Sequence, residues 1–236
     1  RLTDVTGVQT CALPIWVCLS GKKEDLLKTD AAAMSCIDPD RRGQDRDNYI
    51  WIRDADRNKL VVGTQARILY QDAKGRRDIA LKFNEMVRGG EIGPVMIGRD
   101  HHDTGGTDSP FRETSNIKDG SNIMADMATQ CFAGNAARGM SLVALHNGGG
   151  VGIGKAINGG FGLVLDGSER VDEIIKTSIP WDVMSGVARR AWARNENALS
   201  VAADFNRERV GNEQITLPYL VDDDIIRRAV KTVIKE

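Results

Sequence analysis

Glycine is the residue that most limits what this chain can fold into. Of its 25 glycines, 18 fall between Gly89 and Gly167, about a third of the length. Glycine weakens helices and strands, so such density marks backbone held in unusual dihedrals or approached closely by a ligand. The densest run is His146-Asn147-Gly148-Gly149-Gly150-Val151-Gly152-Ile153-Gly154-Lys155, directly after the apolar stretch Leu142 to Leu145. Successive bare N–H groups after a strand can form a nest for an anion such as a pyrophosphate. Two motifs are testable by spacing. The dinucleotide fingerprint GxGxxG starting at Gly148 and Gly150 fails, because Ile153 stands where its third glycine belongs. The P-loop pattern fits Gly149, Gly154 and Lys155, then fails at Ala156, where a Ser or Thr should meet magnesium. The run therefore reads either as a tight turn between small-residue contacts or as a ligand loop of neither standard kind.

A second constellation follows the β-rich burst Pro94 to Gly98. It is Arg99-Asp100-His101-His102-Asp103, with Asp108, Arg112 and Glu113 soon after. Two of the three histidines are adjacent here, and the third, His146, opens the glycine run. A strand end crowded with Asp, His and Arg suits proton transfer, since neighbouring charges and burial tune such groups. His and Asp ligands could also build a metal site. The plain alternative is a salt-bridged polar loop.

Composition narrows the function classes. The 236 residues carry 32 Lys plus Arg against 33 Asp plus Glu, a net charge of -1, which gives no electrostatic case for nucleic acid or an anionic membrane. No apolar run approaches the roughly 20 residues that span a bilayer. Cys11, Cys18, Cys36 and Cys131 form no CxxC pair, so a disulfide framework or thiolate zinc site is not expected and the cytoplasm is the default location. Residues 1–15, RLTDVTGVQTCALPI, show neither helical nor strand periodicity and read as foreign, adapter-derived sequence. The foldable region is taken as 16–236.

Along that region the pattern predicts a short buried strand at Trp16 to Leu19, a Ser20-Gly21 turn and a helix over 22–35. A charged loop is expected from Asp38 to Asn48, and a strand or helix–strand junction within 58–70. Ile79, Phe83, Met86 and Val87 recur at helical spacing until Gly89-Gly90 stop them. Ile123, Met127 and Cys131 define a helix face within 121–136, and Leu142–Leu145 and Phe161–Leu165 read as buried strands. Ser168 caps a helix with Val171, Ile174 and Ile175 inward. A longer helix is expected from about 182 to 207, and a last one from Asp222 burying Ile226, Val230, Val233 and Ile234. Short strands alternating with helices predict a mixed α/β (α+β) domain.

Four blocks then identify a family. WVCLSGKKEDLLKTD (16–30), GPVMIGRDHHDTGGTDSPFRETSNIKDGS (93–121), SLVALHNGGGVGIGKAINGGFGLVLDG (141–167) and WDVMSGVARRAW (181–192) closely resemble urocanase, in its longer HHD/HNGGGVG-type branch. The resemblance implies an enzyme of histidine degradation that adds water to urocanate, giving imidazolone propionate, with tightly bound NAD⁺ as electrophile. It implies a cytoplasmic homodimer whose core domain carries an inserted Rossmann-like NAD domain. This chain matches the C-terminal part of that core, with the insertion outside it, so alone it is expected to be inactive. By the same resemblance Gly150, with Gly148 and Gly149, meets the cofactor, and Asp100 and Asp103 match the proton-transfer region. His101 and His102 orient the aspartates or contact substrate. Two positions depart from the family pattern. Leu69 closes the run Ala66-Arg67-Ile68 where many bacterial members carry Cys, and Ile15 stands where the family places an arginine for the substrate carboxylate. Two rival readings remain: a non-catalytic dimerisation or regulatory module on a urocanase core, and a metal-dependent hydrolase using His101, His102 and Asp103.

Overall fold

A computed structural model of the chain describes residues 15–60, 64–98, 125–147, 157–192, 194–219 and 222–233. Its centre is a five-stranded sheet, antiparallel at every described pairing, in the order β2-β1-β3-β5-β4. The strands are β1 (Ile15–Cys18), β2 (Ala66–Ile68), β3 (Val95–Gly98), β4 (Leu142–Asn147) and β5 (Ile157–Leu165). The helices are α1 (Lys23–Ser35), α2 (Gly43–Ala55), α3 (Ala73–Arg88), α4 (Ala125–Ala137), α5 (Glu169–Trp192), α6 (Glu196–Glu208) and α7 (Asp223–Val233). The mixed α/β expectation holds, and among the described residues no helix is long and apolar enough to cross a membrane.

Side-chain alternation explains where the core sits. Register places Trp16 opposite Ile97 and Ile97 opposite Leu163, while Cys18 faces Val95 and Val95 faces Leu165. All six therefore share one face of the sheet, and each is buried. Ala33 of α1, Ile79 and Phe83 of α3, and Ile175 and Ile179 of α5 join Trp16, Val95, Ile97, Leu163 and Leu165 in one cluster. The Trp16 and Phe83 rings meet edge to face, centroids 5.3 Å apart, and the indole Nε1–H donates to Thr29 Oγ1 at 3.0 Å. A buried indole needs such a partner, so β1 and α1 are joined by a polar contact inside an apolar layer.

The path from β5 into α5 is set by one asparagine. Asn84 of α3 is fully buried; its Oδ1 accepts from Gly167 N (2.8 Å), and its Nδ2 donates to Ser168 O (3.0 Å) and Asp172 Oδ1 (2.6 Å). Arg88, a turn later, donates to Gly167 O and pairs with Asp172. Gly167 has φ +86°, and a Cβ there would lie 2.8 Å from Arg88 N, so only glycine makes this turn. Ser168 Oγ then accepts from Val171 N, capping α5 as expected.

Four expectations need correction. Residues 43–55 are the helix α2 and not the second half of a loop. Two of their polar residues face inward with partners: Asp45 takes two bonds from Arg42, and the Asn48 amide pairs with both backbone groups of Tyr70. The helix expected over 182–207 is divided. α5 runs through Pro180 to Trp192, and the chain then turns at Arg194 (φ +63°) before Asn195 caps α6 through Ala198 N. Pro180 removes one helical hydrogen bond, but α5 is buried on both sides of it, against the sheet through Ile175 and Ile179 and against α6 through Val183 and Val187. β4 is an edge strand with Leu142 and Leu145 exposed, since no described strand pairs with its outer side. α7 buries nothing: Ile226, Val230 and Val233 are all exposed, and Ile234 lies outside the described residues. Its periodicity identifies an apolar face correctly, but periodicity carries no information on whether a partner is present.

Asn84→Ala removes three hydrogen bonds and leaves the Gly167 amide buried and unpaired. Denaturant unfolding should show a loss of about 2–4 kcal/mol; a loss below about 0.5 kcal/mol would contradict the role given to this residue.

Candidate functional site

Antiparallel pairing decides where the site segments emerge. β3 and β4 each run antiparallel to β5, so they are parallel to one another and their carboxyl ends leave the same end of the sheet. β1 runs against β3, and β2 against β1, which brings the start of β1 and the end of β2 to that end too. The pairings Ile68–Ile15, Ile15–Gly98, Gly98–Gly162 and Gly162–Leu142 form a single rung across the five strands. Above it β4 continues for five residues, from Leu142 to Asn147, still paired with β5. At about 3.3–3.4 Å per residue, this two-stranded ribbon reaches roughly 17 Å beyond the rung.

The segments singled out in the sequence are the continuations of these strands. Arg99 follows β3, and Gly148 follows β4. Asp100, His101, His102, Asp103, Gly148, Gly149 and Gly150 themselves lie outside the described residues, as do Asp108, Arg112, Glu113 and Lys155. The backbone nonetheless delivers both runs to one end of the sheet. Gly98 is required at the departure point of the first. A Cβ there would stand 2.6 Å from Phe161 O, inside the β3–β5 ladder.

The two departures from the family pattern fall at the same end. Ile15 and Gly98 are direct partners on the rung. Leu69, one residue past β2, is 1% exposed and belongs to the main apolar cluster with Trp16 and Phe83. A side chain at position 69 therefore points into the core of this chain.

Beneath the rung lies a buried ion pair. Arg67 Nε donates to Asp30 Oδ1 at 3.0 Å and Nη2 to Oδ2 at 2.7 Å, while Nη1 donates to Leu60 O. Both side chains are almost fully enclosed. Burial pushes the Asp30 carboxyl above its ordinary range, and the hydrogen bonds and charge of Arg67 recover only part of that rise. Just beyond, burial would also raise Asp72, but Arg42, the Gly75 amide and Arg41 outweigh it and hold that carboxyl low. Asp72 also caps α3 through Gly75 N at 2.8 Å. β2 is thus fixed by charge at its central residue, Arg67, and followed by a capped helix.

A further polar group lies where α4 returns from the Asp/His segment. Asn135 Nδ2 donates to Asp182 Oδ1 at 3.1 Å, and the Cys131 thiol reaches the same oxygen at 3.6 Å, all three residues being buried. Neither this group nor the Arg67–Asp30 pair is signalled in the sequence, since the partners lie 47 and 37 residues apart with no shared motif. Among the described residues, no cluster of three or more His, Cys, Asp or Glu has the arrangement of a metal site.

Known proteins match this sequence along most of its length. The family model of the urocanase C-terminal domain matches residues 14–204, from β1 into α6. The chain belongs to the urocanase family. It is 49% identical over 226 residues to the urocanate hydratase of Mus musculus and 48% identical over 226 residues to that of Homo sapiens, covering 92% of this chain in each case. The probable urocanate hydratase of Caenorhabditis elegans is 48% identical over 222 residues, covering 90% of the chain. The chain spans about a third (33%) of the length of each of these relatives. The match takes in all five strands, and with them the sheet end from which the Asp/His and glycine runs of this urocanase domain depart.

The raised Asp30 carboxyl has a consequence for acid stability. Between the ordinary carboxylate range and its raised value, the folded state holds a proton that the unfolded state has lost. Stability contributed by this group therefore falls as pH rises through that window. Asp30→Asn is neutral throughout, so the stability of the parent chain relative to Asp30→Asn should decline across the window. A difference that stays flat with pH would show that Asp30 titrates normally.

Proposed function

We propose that this chain is the C-terminal part of the core of a urocanate hydratase, which adds water to urocanate and yields imidazolone propionate. The observation that carries the reading is the 49% identity, over 226 residues, to a urocanate hydratase. The departure of the Asp/His and glycine runs from the same end of the sheet supports it, because hydration needs a proton source and an electrophile beside the same ring.

NAD⁺ is the cofactor of this proposal, and when bound it supplies an electrophilic ring that draws electron density from the substrate. The donor set suits it: Gly148, Gly149 and Gly150 follow an edge strand and offer backbone N–H groups with no side chain in the way. Asp100 and Asp103 are assigned to proton transfer, protonating the substrate side chain while water attacks the ring. His101 and His102 orient these carboxylates or contact the substrate. Assembly as a homodimer through the core, a cytoplasmic location and a place in histidine degradation belong to the same reading. The 236 residues alone are proposed to be silent, since two-thirds of the relatives' length lies beyond them.

A chimaera carrying this chain in place of the matching third of the mouse urocanate hydratase tests the reading. It should consume urocanate, followed by loss of absorbance, while the isolated chain with added NAD⁺ should not. In the chimaera, Asp103→Asn or Asp100→Asn should slow turnover by about 10²–10⁴-fold. Full turnover in both variants would remove this segment from proton transfer, and turnover by the isolated chain would overturn its proposed silence.

Gly150→Val in the same chimaera should lower the NAD content of the purified protein, because a branched side chain would fill the space where backbone meets cofactor. Thermal stability separates this from simple misfolding. Normal NAD content in a well-folded variant would exclude Gly150 from the cofactor site.

A further inference from the structure

We draw no further inference here: the strongest candidate, the open cleft of about 430 Å³ between α5 and the 211–217 segment walled by Trp181, Trp192 and Phe205, is an unpartnered apolar groove, and nothing in the structure shows what covers it.

Discussion

β5 pairs with β3 along one side and with β4 along the other, both antiparallel, and the direction in which the Asp/His and glycine runs leave the sheet depends on that double pairing. A strand flanked in this way makes its two neighbours parallel, and the segment that joins them through α4 is a crossover connection. Their carboxyl ends then point to the same end of the sheet, whatever the intervening chain does. Residues 99–141 can leave from β3, pass through α4 and return as β4, and the Asp/His run and the glycine run still start from the same end of the sheet. Shifting β5 by one residue would turn Phe161, Leu163 and Leu165 out of the core, so the apolar layer that stabilises the sheet also fixes the register of β3 and β4 on β5.

Buried polar groups hold this layer in place, and their energetics differ from those of the apolar contacts. The Trp16, Phe83 and Leu163 cluster supplies non-directional burial, which many related packings could match. Asn84 and the Arg67–Asp30 pair are directional. Neither is a large source of net stability, because desolvation offsets most of what hydrogen bonds and charge contribute. Losing one partner is costly all the same, since it leaves a buried donor or charge unsatisfied. They act mainly against wrong arrangements: Asn84 permits only one path out of β5, and Arg67 permits only one placement of β2 over α1.

Much of this was legible in the sequence where local pattern and tertiary environment agree. Strands β1, β3 and β5 are short apolar runs bounded by Gly or Pro, and α3 shows helical spacing ended by Gly89-Gly90, so each was readable. α2 was not, because its inward positions Asp45 and Asn48 are polar and their partners, Arg42 and Tyr70, carry no periodic signal. The break at Arg194 and Asn195 was hidden because Ala, Val and Leu continue at helical spacing on both sides of it, and the two helices expected before and after about residue 180 are one, α5. α7 shows the reverse case, a clear amphipathic pattern with nothing described against it. For the site, motif reading located the two runs and the resemblance assigned their roles. Their common origin at one sheet end could be known only from the pairing of β5, which links residues some 65 apart in the chain at Ile97 and Leu163.

Hydrogen exchange on the chimaera, with and without NAD⁺ and urocanate, tests the central claim most directly. That claim is that the sheet end where β2, β3 and β4 terminate is the ligand-binding end. Backbone amides in 66–70, 99–103 and 148–150 should gain protection together on addition of both ligands, while α6 and α7 remain unchanged. Protection confined to α5, α6 or the 211–217 segment, with those three runs unaffected, would contradict it.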